Sequence, residues 1–204
     1  MSTLPPFAAT AFSASMAVFR RKGIHAPTDT ELAAALGIAP GALAAQYPDR
    51  AALLLDSLYT DLERQKHDHV RLYARFASAV ERLYALINYS IEDLVVTDTA
   101  YLTDLTQFPA AWQLVQDHLA TYSTPQLHQL LNEGILQGLF RSDINIRLVT
   151  IILIQQVNIA ITPGLFPAGS FQAAEIFRSI FLYYIRGLCT EQGAHLAAEH
   201  FARM

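Results

Sequence analysis

Apolar residues recur along most of this chain at spacings of three and four, which is the period of an α-helix. Phe12, Met16 and Phe19 form the first of these stripes, on a helix predicted over about residues 7–22. Gly23 follows the stripe, at a position typical of a helix C-terminus. No segment alternates apolar and polar residues over a useful strand length. The pattern therefore predicts an all-α protein of about nine to ten helices.

Capping and turn residues predict two further short helices close to the N-terminus. Thr28 and Glu31 have the spacing of a capping box, so a second helix is expected to start here and to continue to the turn at Gly37. Pro40 suits the first turn of a third helix that ends near Tyr47. Two short helices joined by a tight glycine turn are typical of a helix-turn-helix.

Longer helices follow, and the first begins at the Pro48-Asp49-Arg50 segment with Leu54, Leu58 and Leu62 on one face. The pattern predicts the others over about residues 72–95, 98–106, 109–139, 143–161 and 171–190, with a short tail helix near 194–203. Thr124-Pro125 is expected to break or kink the 109–139 helix, because proline lacks an amide hydrogen and clashes with the preceding turn.

The composition indicates that this protein buries more of its surface than a typical soluble protein of one chain does. Hydrophobic residues make up 52% of the sequence, charged residues make up 16%, and the formal net charge is −4. The shortage of charge favours an oligomer interface or a ligand site. The longest apolar stretch, residues 148–166, carries amide side chains that a membrane would leave unsatisfied. With a single cysteine, Cys189, and no N-terminal signal pattern, we expect a cytoplasmic protein that does not contact a membrane.

Residues that could carry catalysis do not form a recognisable motif. His67 and His69 flank Asp68 but point to different sides of a helix, and Glu63 with His67 supplies only two metal ligands. This histidine segment is interpreted as a solvated helix end. The sequence contains no phosphate-cradling glycine loop and no nucleophile elbow. We therefore expect no enzyme activity, no metal site and no cofactor.

The segment AVFRRKGIHAPTDTELAAALGIAPGALAAQYPDRAALL resembles the N-terminal helix-turn-helix of the TetR family of bacterial transcription regulators. The matching positions are Phe19, Gly23, Thr28, Leu32-Ala33, Gly37-Ile38, Gly41, Tyr47, Arg50, Leu53 and Leu54. A weaker similarity lies in LNEGILQGLFRSDINIRLV, which is like the segment before the family's dimer helices. The resemblance implies a helix-turn-helix domain over residues 1–50, followed by a helical ligand-binding and dimerisation bundle over 51–204. It also implies a ligand-responsive regulator, expected to be a repressor, that binds operator DNA as a homodimer.

The resemblance further implies which residues meet DNA, namely Thr28, Thr30, Gly41, Ala42, Ala45, Gln46, Tyr47 and Arg50. Gln46 has the groups to read adenine, and Arg50 can bind a phosphate as the family's lysine does. Tyr47 is expected to pack mainly in the core, with its hydroxyl at the edge.

The filling of the helix-turn-helix departs from the family pattern. Ala39 stands where the family usually has Ser or Thr, and Ala44 stands where it usually has Tyr. Between His25 and Tyr47 there is no Lys or Arg, although phosphate contacts provide much of the affinity for DNA. The alternative is therefore a TetR-like protein with weakened or lost DNA binding, which acts as a small-ligand-binding or protein-interaction module.

Aromatic and polar residues on the middle helices are the candidates for the effector pocket that the resemblance implies. Tyr84 with Asn88, and Trp112 with Gln116, are each one helical turn apart and share a face. Aromatic walls with a few polar groups suit a small, mostly apolar ligand. The alternative is an ordinary core in which the tyrosine hydroxyls are hydrogen-bonded. The full candidate set is Tyr84, Asn88, Tyr89, Glu92, Tyr101, Trp112, Gln116 and Tyr122.

The two predicted helices over residues 143–161 and 171–190 are apolar on almost every side. The resemblance implies that such a pair from each subunit forms a four-helix dimer bundle, which would cover the excess apolar surface. Gln155, Gln156 and Asn158 are candidates for pairing across that interface. The alternative is burial of both helices within one subunit. The candidate interface residues are Ile151, Gln155, Asn158, Phe177, Phe181 and Tyr184.

Overall fold

The structure is a computed structural model that describes residues 6–167 and 170–201. Its helices are α1 (Pro6–Lys22), α2 (Asp29–Leu36), α3 (Leu43–Gln46), α4 (Arg50–Tyr73), α5 (Ala79–Val95), α6 (Thr99–Leu105), α7 (Pro109–His118), α8 (Thr124–Leu136), α9 (Ile146–Ile161), α10 (Ala173–Leu188) and α11 (Glu191–Phe201). The described residues contain no β-strand, so the all-α prediction is confirmed. When α7 and α8 are counted as one interrupted helix, these residues form ten helices, which agrees with the predicted number.

Local capping explains where several helices begin and end. Thr28 Oγ1 accepts a hydrogen bond from the Glu31 amide at 3.2 Å, and the Glu31 carboxylate accepts one from the Thr28 amide at 2.8 Å. The predicted capping box of α2 is therefore confirmed. Gly37 ends α2 with a φ of 71°, a left-handed conformation that glycine adopts without strain. Asn145 caps α9 through the Leu148 amide at 3.1 Å, so this helix begins later than residue 143.

The predicted helix over residues 72–95 is wrong at its start. α4 continues to Tyr73, and α5 begins only at Ala79. Ser78 and Glu81 form a second capping box there: Ser78 Oγ accepts from the Glu81 amide at 3.2 Å, and the Glu81 carboxylate accepts from the Ser78 amide at 3.1 Å. Because a capping box satisfies the first amides of a helix, it starts a new helix although the apolar period continues across the break.

The predicted interruption near Thr124-Pro125 is confirmed as a π turn over Leu119–Ser123. The Thr124 amide bonds to the Leu119 carbonyl five residues earlier, and Thr124 Oγ1 donates to the same carbonyl at 2.8 Å. α8 starts directly after this turn, with Pro125 in its first turn. A widened turn of this kind accommodates the proline, whose ring would clash inside a regular helix.

The described chain forms two compact units. The first comprises the residues up to 67 together with 96–116, and the second comprises 68–95 and the residues from 117 onward. In the first unit α1 packs on α2 and α6. In the second unit α5 packs on α8, α10 and α11, while α9 packs on α8 and α10. Each unit has its own apolar core, formed by Phe12, Met16, Phe19, Ile24, Leu32, Leu43, Leu54 and Leu58 in the first and by Leu83, Tyr84, Ile87, Leu131, Phe140, Leu153 and Phe177 in the second.

The two units are defined by packing contacts, whereas the predicted division at residue 50 separates a DNA-binding domain from a regulatory domain. Residue 50 lies at the start of α4, inside the first unit. The assignment of residues 1–50 to DNA binding and 51–204 to regulation therefore stays a prediction. Among the helices of the described residues, none is long and apolar enough to cross a membrane.

Candidate functional site

The third helix of the first unit exposes a surface made almost entirely of small side chains. A 3₁₀ turn over Pro40–Ala42 leads into α3, and buried Leu43 anchors the short helix to the core. Gly41, Ala44, Ala45 and Gln46 are exposed, whereas Ala42 is half-buried. Gln46 is therefore the longest polar side chain that α3 offers to a partner.

The start of α2 is held by the capping box. Thr28 Oγ1 also donates to the Glu31 carboxylate at 3.0 Å, so this hydroxyl is already engaged within the chain. Glu31 pairs with Lys22 at the end of α1. The hydrogen bond from Lys22, followed by those from Thr28, lowers the pKa of Glu31 to about 2. Thr30 is exposed at the same helix end.

Tyr47 packs against α1 at the edge of the core, so it is less buried than the sequence analysis predicts. Its ring meets the Phe12 ring edge-on, with centroids 6.4 Å apart. Tyr47 is half-buried, and this burial, with a contribution from Asp56, raises the pKa of its hydroxyl.

Arg50 bonds to its own chain at the turn between α1 and α2. Its guanidinium donates to the carbonyls of Ile24 at 3.1 Å and His25 at 2.8 Å, and it pairs with the Asp29 carboxylate at 2.8 Å. The predicted phosphate contact of Arg50 stays a prediction. The position of Arg50 in the sequence did not indicate these three intramolecular partners.

Most basic side chains of the first unit have acidic partners. Lys22 pairs with Glu31 and Arg50 pairs with Asp29, while Lys66 pairs with Glu63. Arg20 and Arg64 share the buried carboxylate of Asp61. This pairing leaves little positive charge available to attract a phosphate backbone.

The predicted pocket residues divide between the two units. Tyr101, Trp112 and Gln116 belong to the first unit, and Tyr101 is buried there. The residues in the second unit range from fully buried Tyr84 to exposed Glu92. Burial raises the pKa of the Tyr84 hydroxyl. The half-buried members of the second unit are Asn88, Tyr89 and Tyr122.

A cluster of His69, Tyr73, Tyr89 and Tyr122, here called the tyrosine cluster, brings two of the predicted pocket residues together. The His69 ring centroid lies 5.1 Å from that of Tyr89, 5.8 Å from that of Tyr122 and 6.2 Å from that of Tyr73. His69 Nδ1 and the Tyr122 hydroxyl are hydrogen-bonded at 3.2 Å, and the Tyr89 hydroxyl donates to Asp68 at 3.1 Å. The cluster combines ring faces with a few polar groups, and the use of Tyr89 and Tyr122 as pocket residues stays a prediction.

The tyrosine cluster corrects the interpretation of the histidine segment as a solvated helix end. His67 is exposed as expected, but His69 is only 8% exposed. The two side chains leave the helix on different sides, and the side of His69 is covered by aromatic rings. His69 and Tyr73 are functional candidates that the sequence analysis missed. Their spacing of four residues, which places both on one helical face, is the signal that could have identified them.

One polar atom of the tyrosine cluster is buried without a hydrogen bond. The Tyr73 hydroxyl has no hydrogen-bond partner among the described residues. Burial, followed by the nearby Tyr122, raises its pKa. Because a buried polar group without a partner is destabilising, this hydroxyl is suited to meet a polar group of a bound molecule.

Replacing Tyr73 by phenylalanine is expected to leave the free energy of unfolding unchanged or to raise it by up to about 1 kcal/mol, because no hydrogen bond is lost. Replacing Tyr122 by phenylalanine, the matched control, is expected to lower it by about 1 kcal/mol, because the bond to His69 is lost. Urea unfolding of both variants measures the difference. Equal losses in the two variants would contradict the assignment of the Tyr73 hydroxyl.

The predicted dimer residues fall into three groups by exposure. Ile151 and Gln155 are exposed on α9, and Asn158 and Tyr184 are half-buried. Phe177 and Phe181 are only 4% and 3% exposed, and their rings stack 4.2 Å apart inside the second unit. These two residues belong to the core of one chain, because the apolar stripe of α10 packs on α5 and α9. Their assignment to an interface surface is therefore corrected.

Metal-binding side chains are not clustered among the described residues, and Cys189 is half-buried. These residues contain no group of three or more His, Cys, Asp or Glu side chains placed to hold a metal ion. Burial raises the pKa of the Cys189 thiol to about 11. At neutral pH such a thiol is protonated and weakly nucleophilic.

Similar solved structures are transcriptional regulators. A TetR-family regulator from Agrobacterium tumefaciens superposes with a TM-score of 0.68 at 17% identity, covering 90% of this chain and 98% of that chain. The ketosteroid transcriptional regulator KstR2 of Mycobacterium tuberculosis reaches 0.58 at 20% identity, covering 93% and 98%. The regulator FadR from Bacillus subtilis, in complex with stearoyl-CoA, reaches 0.59 at 16% identity, covering 88% and 98%.

These likenesses confirm the fold that the N-terminal segment predicts. Neither a family model nor a curated protein matches the sequence. The chain nevertheless has the fold of TetR-type transcriptional regulators over about nine-tenths of its length, at identities below 25%.

Proposed function

We propose that this protein is a ligand-responsive transcriptional regulator, a cytoplasmic repressor that binds operator DNA as a homodimer. The observation that carries the proposal is the exposed helix-turn-helix of α2 and α3 within a TetR-type fold. In a dimer, the two copies of α3 would enter successive major grooves of the operator. Thr28, Thr30 and the start of α2 would lie near phosphates, because helix N-termini offer amides to anions.

Recognition of the operator sequence would depend on few side chains. Gln46 can bond to the N6 and N7 atoms of adenine, and Ala42 and Ala45 can contact thymine methyl groups. Because most basic side chains nearby are paired within the chain, the affinity would fall less steeply with salt than that of a strongly basic regulator.

The proposal is tested by selecting bound duplexes from a random DNA library and measuring their affinity by fluorescence anisotropy. Replacing Gln46 by alanine is expected to weaken binding of the selected duplex by about 1–3 kcal/mol, because a base-edge contact is lost. The preference for one base pair should also become weaker. Gln107, which is also an exposed glutamine of the first unit, is the matched control. Its replacement by alanine should leave affinity and base preference unchanged, and equal effects of both variants would count against the assigned role of Gln46.

The effector would be a small, mostly apolar molecule with a polar group. The tyrosine cluster supports this chemistry, since ring faces would cover the apolar part and the buried Tyr73 hydroxyl would bond to the polar part. Among similar solved structures, one regulator is in complex with stearoyl-CoA and another is in complex with choline, so an apolar part and a polar part both occur among ligands of this fold. Binding would favour a conformation with low affinity for the operator.

A homodimer is supported by apolar surface that one chain leaves uncovered on α9. Leu148, Ile151 and Ile159 are 54%, 46% and 39% exposed, and with Gln155 they recur at helical spacing along one side. Gln156 is a different case, because it is buried within the chain. Light scattering should give twice the 22.6 kDa mass of one chain.

The second candidate function is a ligand-binding or protein-interaction module that no longer binds DNA. The observation that favours it is the alanine surface of α3 together with the intramolecular partners of Lys22 and Arg50. It predicts that no duplex is enriched from the random library at moderate salt. Enrichment of a defined sequence would exclude this candidate.

A further inference from the structure

The turn that joins α1 to α2 is held on both of its hydrogen-bonding sides. Asp104, on α6, accepts from the backbone amides of Ile24 at 2.7 Å and His25 at 3.1 Å. Arg50, at the start of α4, donates to the carbonyls of the same two residues at 3.1 and 2.8 Å. A carboxylate therefore binds the amides of the turn, and a guanidinium binds its carbonyls. Hydrogen bonds to charged groups are stronger than hydrogen bonds between neutral groups.

Arg50 also connects this turn to the helix that follows. Its second nitrogen pairs with Asp29, the first residue of α2, at 2.8 Å. A planar guanidinium with several donors can hold carbonyls and a carboxylate at once in a fixed geometry. The position of α2 relative to the turn is thus constrained by one side chain that comes from α4.

The approach of α6 to the turn is close. Gly23 has a φ of 86°, and a Cβ at this position would lie 2.9 Å from the Asp104 carboxylate and 3.2 Å from the Ala100 Cβ. The Asp98 amide donates to the Arg20 carbonyl at 2.7 Å, so the start of α6 is also joined to the last turn of α1. The backbone at Gly23 therefore leaves no space for a side chain between the turn and α6.

We propose that Asp104 and Arg50 are positioning residues that fix the orientation in which α2 leaves the turn after α1. We call Asp104, Arg50 and the turn of residues 23–25 the turn clamp. In DNA binding, Arg50 acts through the turn clamp and not through a phosphate contact. This role in DNA binding rests on the proposed function. The position of Arg50 in the family pattern implies the opposite role, so the two roles can be separated by experiment.

The first test uses the sign of a charge effect. Asp104→Ala removes a negative charge from a protein that would bind a polyanion, so electrostatics alone would tighten binding. The turn clamp predicts instead that affinity for the selected duplex falls by about tenfold or more, because α2 and α3 lose their fixed orientation. Asp56→Ala is the matched control, since Asp56 is exposed on α4 in the same unit and is not bonded to the turn. It should leave affinity unchanged or slightly higher.

The second test uses the salt dependence of binding for Arg50→Ala. Loss of a phosphate contact reduces the slope of log K against log salt by about 0.9. The turn clamp predicts a lower affinity with an unchanged slope. A slope reduced by about one overturns the positioning role of Arg50, and an affinity of Asp104→Ala equal to that of Asp56→Ala overturns the role of Asp104.

Amide hydrogen exchange separates the turn clamp from the proposed function. In Asp104→Ala and Arg50→Ala, exchange over residues 24–36 should become faster, while peptides of α5 and α8 keep their wild-type rates and thereby establish that the chain is folded. Asp104→Asn, which retains an acceptor oxygen, should lie between wild type and Asp104→Ala. If wild type binds no duplex, the proposed function fails and exchange alone decides the positioning of α2. Unchanged exchange over residues 24–36 overturns the proposal.

Discussion

Replacing Asp61 by alanine is expected to lower the free energy of unfolding by about 3–5 kcal/mol, the usual cost of breaking a buried ion pair on one side. Asp61 is only 3% exposed and accepts from Arg20 Nη2 at 2.6 Å and from Arg64 Nη2 at 2.7 Å. The Arg20 side chain is itself only 13% exposed. The variant removes the carboxylate that both guanidinium groups bind, and water cannot fully replace it at a buried site.

Urea unfolding followed by circular dichroism measures this effect. Asp56→Ala makes the same chemical change at an exposed position of the same helix and is expected to alter the free energy of unfolding by less than about 0.5 kcal/mol. A loss below about 1 kcal/mol for Asp61→Ala would mean that the ion pair is no more than a surface interaction.

Replacing Gly193 by alanine is expected to displace α11 and to lower the free energy of unfolding by about 3 kcal/mol, near the upper end of the usual cost of overpacking. A Cβ at Gly193 would lie 2.0 Å from the Leu139 carbonyl oxygen and 2.9 Å from its carbon. Both are backbone atoms, so they cannot rotate away as a side chain would. The same carbonyl accepts the Thr190 amide at 3.0 Å, which joins the start of α11 to residue 139.

Gly187 provides a matched control for Gly193 on the neighbouring helix. Nothing lies within 4 Å of a Cβ built there, and the residue is inside α10. Gly187→Ala is therefore expected to raise the free energy of unfolding by about 0.5–1 kcal/mol, because alanine favours helices over glycine. Urea unfolding gives both values, and hydrogen exchange over α11 locates the loss. A Gly193→Ala protein with wild-type stability and wild-type exchange would contradict the close contact.

Features that depend on neighbouring residues were predictable. The capping box of Thr28 and Glu31, the glycine turn at Gly37 and the interruption near Pro125 all arise from groups within about five residues of one another. A periodic apolar pattern similarly identifies a helix without knowledge of its partners. The missed boundary at Ser78 is of the same local kind, since its spacing to Glu81 is that of a capping box.

The candidate sites were less predictable, since the same residue type serves different purposes in different surroundings. Phe177 and Ile151 both suit an apolar interface, yet the first is buried in one chain and the second is exposed. The histidines of one short segment likewise divide between solvent and the tyrosine cluster. Composition and spacing indicate that a side chain is apolar or aromatic, but they do not indicate which helix covers it.

From its amino-acid order alone, this protein could be assigned an all-α fold, an N-terminal helix-turn-helix and an alanine-rich third helix. These features rest on helical period and capping, which act over a few residues. The partners of Arg50 and Asp104 required the folded chain. Arg50 lies 26 residues from Ile24 and Asp104 lies 80 residues from it. A hydrogen bond between residues so far apart in the sequence forms only when helix packing brings the donor and the acceptor together. No local sequence pattern indicates which distant residues will meet.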